Sequence, residues 1–211
     1  MLGPYLDDLD RLNALAGGYW LTLRMLRRLM RREARPARVA DVGGGRGDLA
    51  VRIARDARAR GRRVTVIVVD RDETSLVMGA RAHKDSPDIC WVQADAAALP
   101  LRPGAVDVAV TSLTLHHLAP DAVVKTLAGM RRAARCGVIV NDLIRERIPF
   151  VLCWLATKVF ARHPFARHDG PLSLRRAYTA GELRGLARLA GLVRLDVRHY
   201  RLLARLIAVG R

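Results

Sequence analysis

The stretch that decides the fold runs from Arg38 to Ala50 and reads Arg-Val-Ala-Asp-Val-Gly-Gly-Gly-Arg-Gly-Asp-Leu-Ala. Its apolar first half carries one carboxylate, Asp41, and then breaks into a cluster of glycines. The apolar residues that follow, including Leu49 and Ile53, have the spacing of the buried face of a helix. The stretch therefore predicts a strand, a tight turn and the start of a helix.

The glycine cluster indicates that a ligand lies against this turn. Glycine lets the backbone adopt conformations closed to other residues, and it leaves no Cβ to block a ligand. The unpaired amides at the start of the following helix favour an anionic group on that ligand. We expect a nucleoside-like cofactor, and an ordinary strand-to-helix turn is the structural alternative.

Two spacings of the glycines predict different cofactors. Residues 45–50 fit the alanine-ending form of the dinucleotide-binding pattern. The second spacing, Asp41-x-Gly43-x-Gly45-x-Gly47, puts an acid where it is poorly placed beside a pyrophosphate. That acid suits a cofactor with an amino group and a positive sulfur. On these residues the stretch resembles the first motif of class I S-adenosylmethionine-dependent methyltransferases.

Acids at the next two strand ends agree with this resemblance. The β-branched run Val64–Val69 predicts a buried parallel strand that ends at Asp70, where a carboxylate can accept both hydroxyls of a ribose. The third predicted strand, 89–95, ends at Asp95, and the segment after it resembles the family's adenine-binding turn. Each acid has a simpler alternative, Asp70 as the cap of the helix that begins near Glu73 and Asp95 as a loop cap.

Two histidines follow the fourth predicted strand, 106–110. His116 and His117 would lie beyond its carboxyl end, where a substrate would meet the donor methyl group. The segment 111–118 resembles the fourth motif of small-molecule methyltransferases related to those of ubiquinone biosynthesis. An imidazole can take the proton of a hydroxyl that attacks the methyl group. Packing beneath the helix that begins near Pro120 is the alternative for either histidine.

The resemblance implies one α/β domain over residues 1–211. Its Rossmann-like, doubly wound sheet would have seven strands, mostly parallel, with an antiparallel last strand. The expected parts are a helical lid (1–35), a cofactor-binding core (36–144), a substrate cap (145–178) and a last helix with two terminal strands (179–211). The implied cofactor is S-adenosylmethionine, without a metal. The residues assigned to the cofactor are Asp41, Gly43, Gly44, Gly45, Asp70, Arg71, Asp95, Ala96 and Thr111.

Residues 145–178 depart from the alternation of strands and helices, and they carry the most apolar and aromatic part of the chain. The resemblance identifies them as a cap that selects the substrate, and an aromatic lining suits a flat or apolar acceptor. His168 is a further catalytic candidate there, which could orient a base or the acceptor together with Asp169; a loop pair that caps Ser173 is the alternative. The residues assigned to the acceptor are Tyr19, Trp20, Phe150, Trp154, Phe165 and Asp169. A dimer face and a peripheral membrane contact are the alternatives for the apolar run.

The chain is strongly basic, with 37 Lys and Arg against 20 Asp and Glu, which gives a net charge of +17. Such a charge attracts polyanions. The arginines spread through nearly every segment without interleaved exposed aromatics, so nucleic acid is not the expected partner. Three scattered cysteines, the lack of a signal-peptide pattern and the lack of an apolar run of about 20 residues predict a cytoplasmic protein.

The predicted function is methyl transfer from S-adenosylmethionine to a small molecule. The expected reaction is O-methylation of a phenolic, pyrone or polyketide-type hydroxyl in secondary metabolism. The alternatives are methylation of RNA or another macromolecule, a non-catalytic partner that keeps the fold, and a dinucleotide dehydrogenase. The absence of an Asn-Pro-Pro-Tyr type motif after the fourth strand counts against the first, and the intact acids and glycines count against the second.

Overall fold

The computed structural model describes residues 7, 10–11, 13–14, 17–31, 36–146 and 172–210. Within them a seven-stranded sheet is built from β1 (Ala37–Val42), β2 (Val64–Asp70), β3 (Ile89–Gln93), β4 (Val106–Ser112), β5 (Ala134–Leu143), β6 (Leu195–Tyr200) and β7 (Arg205–Gly210). Their order is β3-β2-β1-β4-β5-β7-β6. The first five strands pair in parallel, whereas β7 pairs antiparallel with β5 and β6. The predicted fold class is therefore confirmed.

The sheet carries helices on both faces, as β-α-β connections require. The helices are α1 (Gly18–Leu29), α2 (Asp48–Ala59), α3 (Glu73–Ala82), α4 (Pro120–Ala133) and α5 (Ala180–Leu189). Side chains of α1, α2 and α3 form one apolar core with one face of the sheet, and those of α4 and α5 form a second core with the other face. The central strands are buried on both sides, which explains their continuous apolar sequences.

The helix starts follow the local sequence. Asp72 caps α3, because its carboxylate accepts the amide of Ser75 at 3.0 Å, so the alternative that gave this cap to Asp70 is wrong. Thr179 and Glu182 form the predicted capping box of α5. Each cap satisfies amides that would otherwise lack a partner in the first turn.

Several element boundaries differ from the predicted ones. Strand β4 continues to Ser112, two residues past its predicted end. Strand β3 ends at Gln93, two residues before Asp95, which leaves that acid in a loop. Strand β5 follows α4 directly and extends from Ala134 to Leu143, because its pairing with β4 and β7 continues past the apolar run.

The lid and the cap differ in how far the structure describes them. A buried amide anchors α1 to the sheet: Asn141 donates through Nδ2 to the carbonyl of Gly18 and to the hydroxyl of Thr22, both at 2.8 Å. Most of the predicted cap, 147–171, lies outside the described residues. Among the residues that are described, no helix is long and apolar enough to cross a membrane.

Candidate active site

The candidate site lies at the carboxyl ends of β1, β2 and β4. Strand β1 sits between the other two, and the chain leaves it in opposite directions to reach them. In open parallel sheets ligands bind in the crevice at such a switch point. The glycine loop after β1, the tip of β2 and the turn after β4 therefore face one crevice.

The glycine loop is shaped by two different requirements. Gly43 has φ 73° and packs so tightly that an added Cβ would lie 2.3 Å from Cγ2 of Thr114. Gly45 has φ 52°, but nothing lies within 4 Å of the position of its Cβ. Gly43 is thus required by a neighbouring side chain, whereas Gly45 presents bare backbone to an open space, as a ligand cradle would.

Asp41 lies beneath this loop and is almost fully buried, with 1% of its surface exposed. Its Oδ2 atom has no hydrogen-bond partner among the described residues. Burial, and then the charges of Asp70 and Asp48, raise the pKa of Asp41 to about 7. An unpaired buried carboxylate is costly unless a cation joins it. The residues present therefore fit a ligand that brings a positive group to this point.

Asp70 is held in place at the tip of β2. Its Oδ2 accepts the amide of Gly45 at 2.8 Å, and its Oδ1 accepts the amide of Asp72 at 2.9 Å. These two bonds fix the plane of the carboxylate and tie it to the glycine loop. A carboxylate has about four lone-pair sites, so acceptor capacity remains for the two hydroxyls of a ribose.

The other residues assigned to the cofactor are spread around the crevice. Asp95 accepts the amide of Ala97 at 2.8 Å and so caps a 3₁₀ turn that begins at Ala96. This is the loop cap that the sequence offered as the alternative role of Asp95. Arg71 is exposed. Thr111 is buried in β4, and its hydroxyl has no partner among the described residues.

A tryptophan supports the glycine loop from the side. An added Cβ on Gly47 or on Gly79 of α3 would lie 2.5 Å from Cη2 of Trp91. The indole thus fills the space between the loop, α3 and β3, and glycine is needed on both sides of it.

The two histidines have different environments in the structure. His116 is buried, and its Nδ1 lies 2.6 Å from Oδ1 of Asp142, at the end of β5. Oδ2 of the same carboxylate accepts the amide of Leu115 at 2.8 Å. Burial by itself raises the pKa of Asp142, but the nearby His116 and the amide hydrogen bonds hold it below its ordinary value. His116 is therefore part of a buried histidine–carboxylate pair.

His117 is exposed, and its ring centroid lies 4.0 Å from that of His116. Both histidines belong to a 3₁₀ turn, Leu115–His117, that follows a strained backbone position. Leu113 has φ 57°, a conformation that costs a non-glycine residue about 1–2 kcal/mol. A strained backbone conformation of this kind persists only where the surrounding structure enforces it. Here the strained Leu113 leads directly into the turn that carries the two histidines.

The two lid residues assigned to the acceptor occupy different positions. Tyr19 is buried, donates its hydroxyl to Asp10 and lies under the guanidinium of Arg52, 4.1 Å from the ring centroid. Its pKa is raised by burial and by Asp10. Trp20 is 54% exposed, with the guanidinium of Arg24 above its ring.

The assigned residues of the cap lie outside the described residues, so their roles stay predictions. They are Phe150, Trp154, Phe165, His168 and Asp169. The part of the chain that the structure describes holds no group of three or more His, Cys, Asp or Glu side chains that could bind a metal.

Asp142 and Thr114 are the site residues that the sequence analysis did not single out. Asp142 is the second-last residue of β5 and is buried after the apolar run 138–140, and a charged side chain in such a place indicates that it serves a partner. Thr114 donates its hydroxyl to the carbonyl of Gly43 at 3.2 Å or to that of Ser112 at 3.1 Å. Nothing in the local sequence of Thr114 distinguishes it from an ordinary loop residue.

Comparison with known proteins identifies the type of domain. Residues 39–137 match the family model of a methyltransferase domain. No curated protein is significantly similar to the chain in sequence.

Solved structures of methyltransferases share the fold at low sequence identity. An S-adenosylmethionine-dependent methyltransferase from Aquifex aeolicus aligns over 89% of this chain and 87% of its own, with 16% identity and a TM-score of 0.60. Magnesium protoporphyrin IX methyltransferase from Synechocystis, solved with S-adenosylhomocysteine bound, aligns over 99% and 95%, with 14% identity and a TM-score of 0.65.

The methyltransferase domain of the citrinin polyketide synthase has a TM-score of 0.69 at 14% identity, over 91% of this chain and 51% of its own. At these identities the likeness shows the fold. Taken with the family match and with the glycine loop and acids that line the crevice, it confirms the resemblance to class I S-adenosylmethionine-dependent methyltransferases: residues 39–137 form a methyltransferase domain.

Proposed function

We propose that the protein transfers the methyl group of S-adenosylmethionine to a hydroxyl of a small-molecule acceptor. The observation that carries this proposal is the buried Asp41, whose Oδ2 lies against Gly44 of the glycine loop and has no hydrogen-bond partner among the described residues. The methionine part of the cofactor offers an ammonium group for that carboxylate. When bound, the cofactor supplies an activated methyl group on a sulfonium, so no metal is needed for the transfer.

Each part of the cofactor has a candidate partner in the crevice. Asp41 and the glycine loop would hold the methionine end, Asp70 the ribose hydroxyls, and Asp95 with the amide of Ala96 the adenine. Gly45 contributes through its missing side chain, since any Cβ there would stand in the cradle. Arg71 and Thr111 stay further candidates.

The histidine turn is proposed to handle the proton that the acceptor loses. His117 is the exposed ring of the two, so we assign it the role of proton acceptor. His116 acts as a positioning residue, because Asp142 fixes its ring through Nδ1 and its ring lies against that of His117. A general base of this kind contributes about 10²- to 10⁴-fold to a rate.

The acceptor is proposed to be a phenolic, pyrone or polyketide-type compound of secondary metabolism. The aromatic residues Phe150, Trp154 and Phe165 of the predicted cap support this choice, since such side chains suit flat and apolar ligands. Tyr19 and Trp20 are proposed to approach the acceptor from the lid.

A calorimetric titration with S-adenosylhomocysteine, with NAD as the comparison ligand, tests the cofactor. We expect micromolar binding of S-adenosylhomocysteine and none of NAD. The reverse preference, or no binding of either, would overturn the proposal. Once binding is established, a screen of phenolic acceptors with labelled S-adenosylmethionine tests the acceptor class.

Two substitutions separate binding from transfer. Asp70→Ala should abolish binding of S-adenosylhomocysteine, because it removes the ribose acceptor and releases the amide of Gly45. His117→Ala should leave that binding intact and slow transfer about 100-fold. A third substitution, Asp142→Asn, should also slow transfer and change the pH profile of the rate, since the His116–Asp142 pair loses its negative charge. Equal loss of binding in His117→Ala and Asp70→Ala would remove the histidine from catalysis.

A further inference from the structure

The face of the molecule opposite to the active site is strongly basic. The helices of a doubly wound fold end near the amino ends of the parallel strands, and arginines occupy these ends and the loops beside them. Exposed examples are Arg28, Arg38, Arg63, Arg102, Arg132 and Arg194. None of these six forms an ion pair within the part of the chain that the structure describes.

Most of the described acids on this basic face are paired, whereas the exposed Asp85, in the loop before β3, forms no ion pair among the described residues. Asp56 binds Arg27 and Arg60, and Asp88 binds Arg58 at 2.7 Å. The buried Asp107 forms an ion pair with Arg135. Because few carboxylates are available to neutralise the remaining arginines, this face keeps a broad excess of positive charge.

A cavity of about 100 Å³ opens at one side of the basic face. Arg131 and Arg135 line it, together with the first residues of β5 and with Leu192. Nε of Arg131 donates to the carbonyl of Ala190 at 3.3 Å, which holds this side chain at the cavity. The Arg135 guanidinium already pairs with Asp107, so Arg131 is the cation at this cavity that a compact anion such as a phosphate group would meet.

Two large aliphatic side chains project into solvent beside this cavity. Leu189, the last residue of α5, is 75% exposed, and Val193, just before β6, is 78% exposed. Leu192 lies between them in the sequence and lines the cavity. Exposed aliphatics within a basic surface are what an interfacial binding site presents to a bilayer, since the apolar groups enter the headgroup region while the cations pair with anionic lipids.

We propose that this basic face docks on an anionic lipid surface. Leu189 and Val193 enter the headgroup region, the cavity between Arg131 and Arg135 takes a lipid phosphate, and the surrounding arginines bind the anionic surface. A polynucleotide fits less well, because the described residues of this face carry no exposed Trp, Tyr or Phe on which bases could stack.

Cosedimentation of the full chain with vesicles tests the docking. Vesicles of phosphatidylcholine alone are compared with vesicles that contain about one third phosphatidylglycerol. We expect binding to the anionic vesicles only, weakened when NaCl is raised from about 50 to about 500 mM, because salt screens exposed charges. The double variants Arg131→Gln/Arg194→Gln and Leu189→Ser/Val193→Ser should each reduce binding about tenfold.

Matched controls come from other surfaces. Leu202 is 82% exposed on the turn between β6 and β7, at the other end of the strands, so Leu202→Ser should not change vesicle binding. Arg176→Gln/Arg184→Gln removes the same charge from exposed positions and should leave binding within about twofold. Thermal melting and titration with S-adenosylhomocysteine establish that each variant folds.

Several outcomes would overturn the proposal. One is equal binding to neutral and anionic vesicles, and another is loss of binding in the controls that matches the loss in the test variants. A third is binding to RNA without binding to anionic vesicles, which would assign the basic face to nucleic acid. None of these outcomes depends on methyl transfer.

Discussion

Asp41 combines a cost to the fold with a use in the site. An acid whose pKa is raised in the folded protein favours folding at low pH, and this contribution is lost as the pH rises toward the folded pKa, here about 7. Above that pH the buried charge opposes folding. The proposed pairing with the cofactor ammonium would reverse this balance, because it would stabilise the charged form of Asp41.

Asp41→Asn should therefore stabilise the protein without ligand while weakening its cofactor site. We expect the melting temperature at pH 8 to rise by several degrees, because the buried charge is removed; the rise of the Asp41 pKa from 3.8 to about 7 corresponds to at most about 4 kcal/mol, at about 1.4 kcal/mol per pKa unit. S-Adenosylhomocysteine should bind the wild-type chain more weakly as the pH falls from 8 to 6, and the variant weakly throughout. A variant that melts lower at pH 8 and still binds would contradict this account.

Sequence patterns located most of the candidate site residues, but they did not predict which of these residues contact one another. Asp70 and Asp41 follow from strand ends and glycine spacing, which depend on local chain geometry. The pairing of His116 with Asp142 joins residues 26 positions apart across two strands, so periodicity does not reveal it. For the same reason the two adjacent histidines are equivalent in the sequence, and only packing makes one buried and the other exposed.

The glycine loop is the element in which two adjacent requirements can be measured separately. Gly43 and Gly45 both have positive φ, so alanine at either position carries a similar backbone cost. Only at position 43 does an added Cβ also collide with Thr114. The loop sequence predicted a ligand-binding turn. The different requirements at Gly43 and Gly45 could not be predicted from it, because they depend on Thr114, which lies in the segment after β4.

Gly43→Ala should destabilise the fold by about 2 kcal/mol more than Gly45→Ala, since the collision adds to the backbone cost. Gly45→Ala should keep most of the stability and lose most of the affinity for S-adenosylhomocysteine, because its methyl group enters the cradle. Urea unfolding and calorimetry measure the two effects. Equal destabilisation by both substitutions would mean that Thr114 moves aside at little cost.

Charge at the scale of the whole molecule divides along the strand axis. The acids of the crevice stand at the carboxyl ends of the strands, and the arginine excess stands at the amino ends. Composition gave the net charge of +17, but only the topology, which turns every helix end of one kind to the same side, reveals where it collects.

Melting in increasing salt measures this excess of charge. Raising NaCl from 10 to 300 mM should raise the melting temperature by a few degrees, because screening relieves repulsion among the arginines more than it weakens surface ion pairs. The double variant Arg63→Gln/Arg102→Gln should show a smaller rise of the melting temperature with salt. A melting temperature that falls with salt would show that the ion pairs dominate.

The position of β7 between β5 and β6 also governs how the molecule can assemble. The sheet stays open at β5 until residues 205–210 are available, and the side chain of Arg205 meets that of Asn13 across 192 positions of sequence, with Nη2 2.8 Å from Oδ1. Contacts this remote slow folding, since long loops must close before they form. The nascent chain on the ribosome therefore holds an unfinished sheet with an exposed edge, and chaperones should bind it until synthesis passes β7.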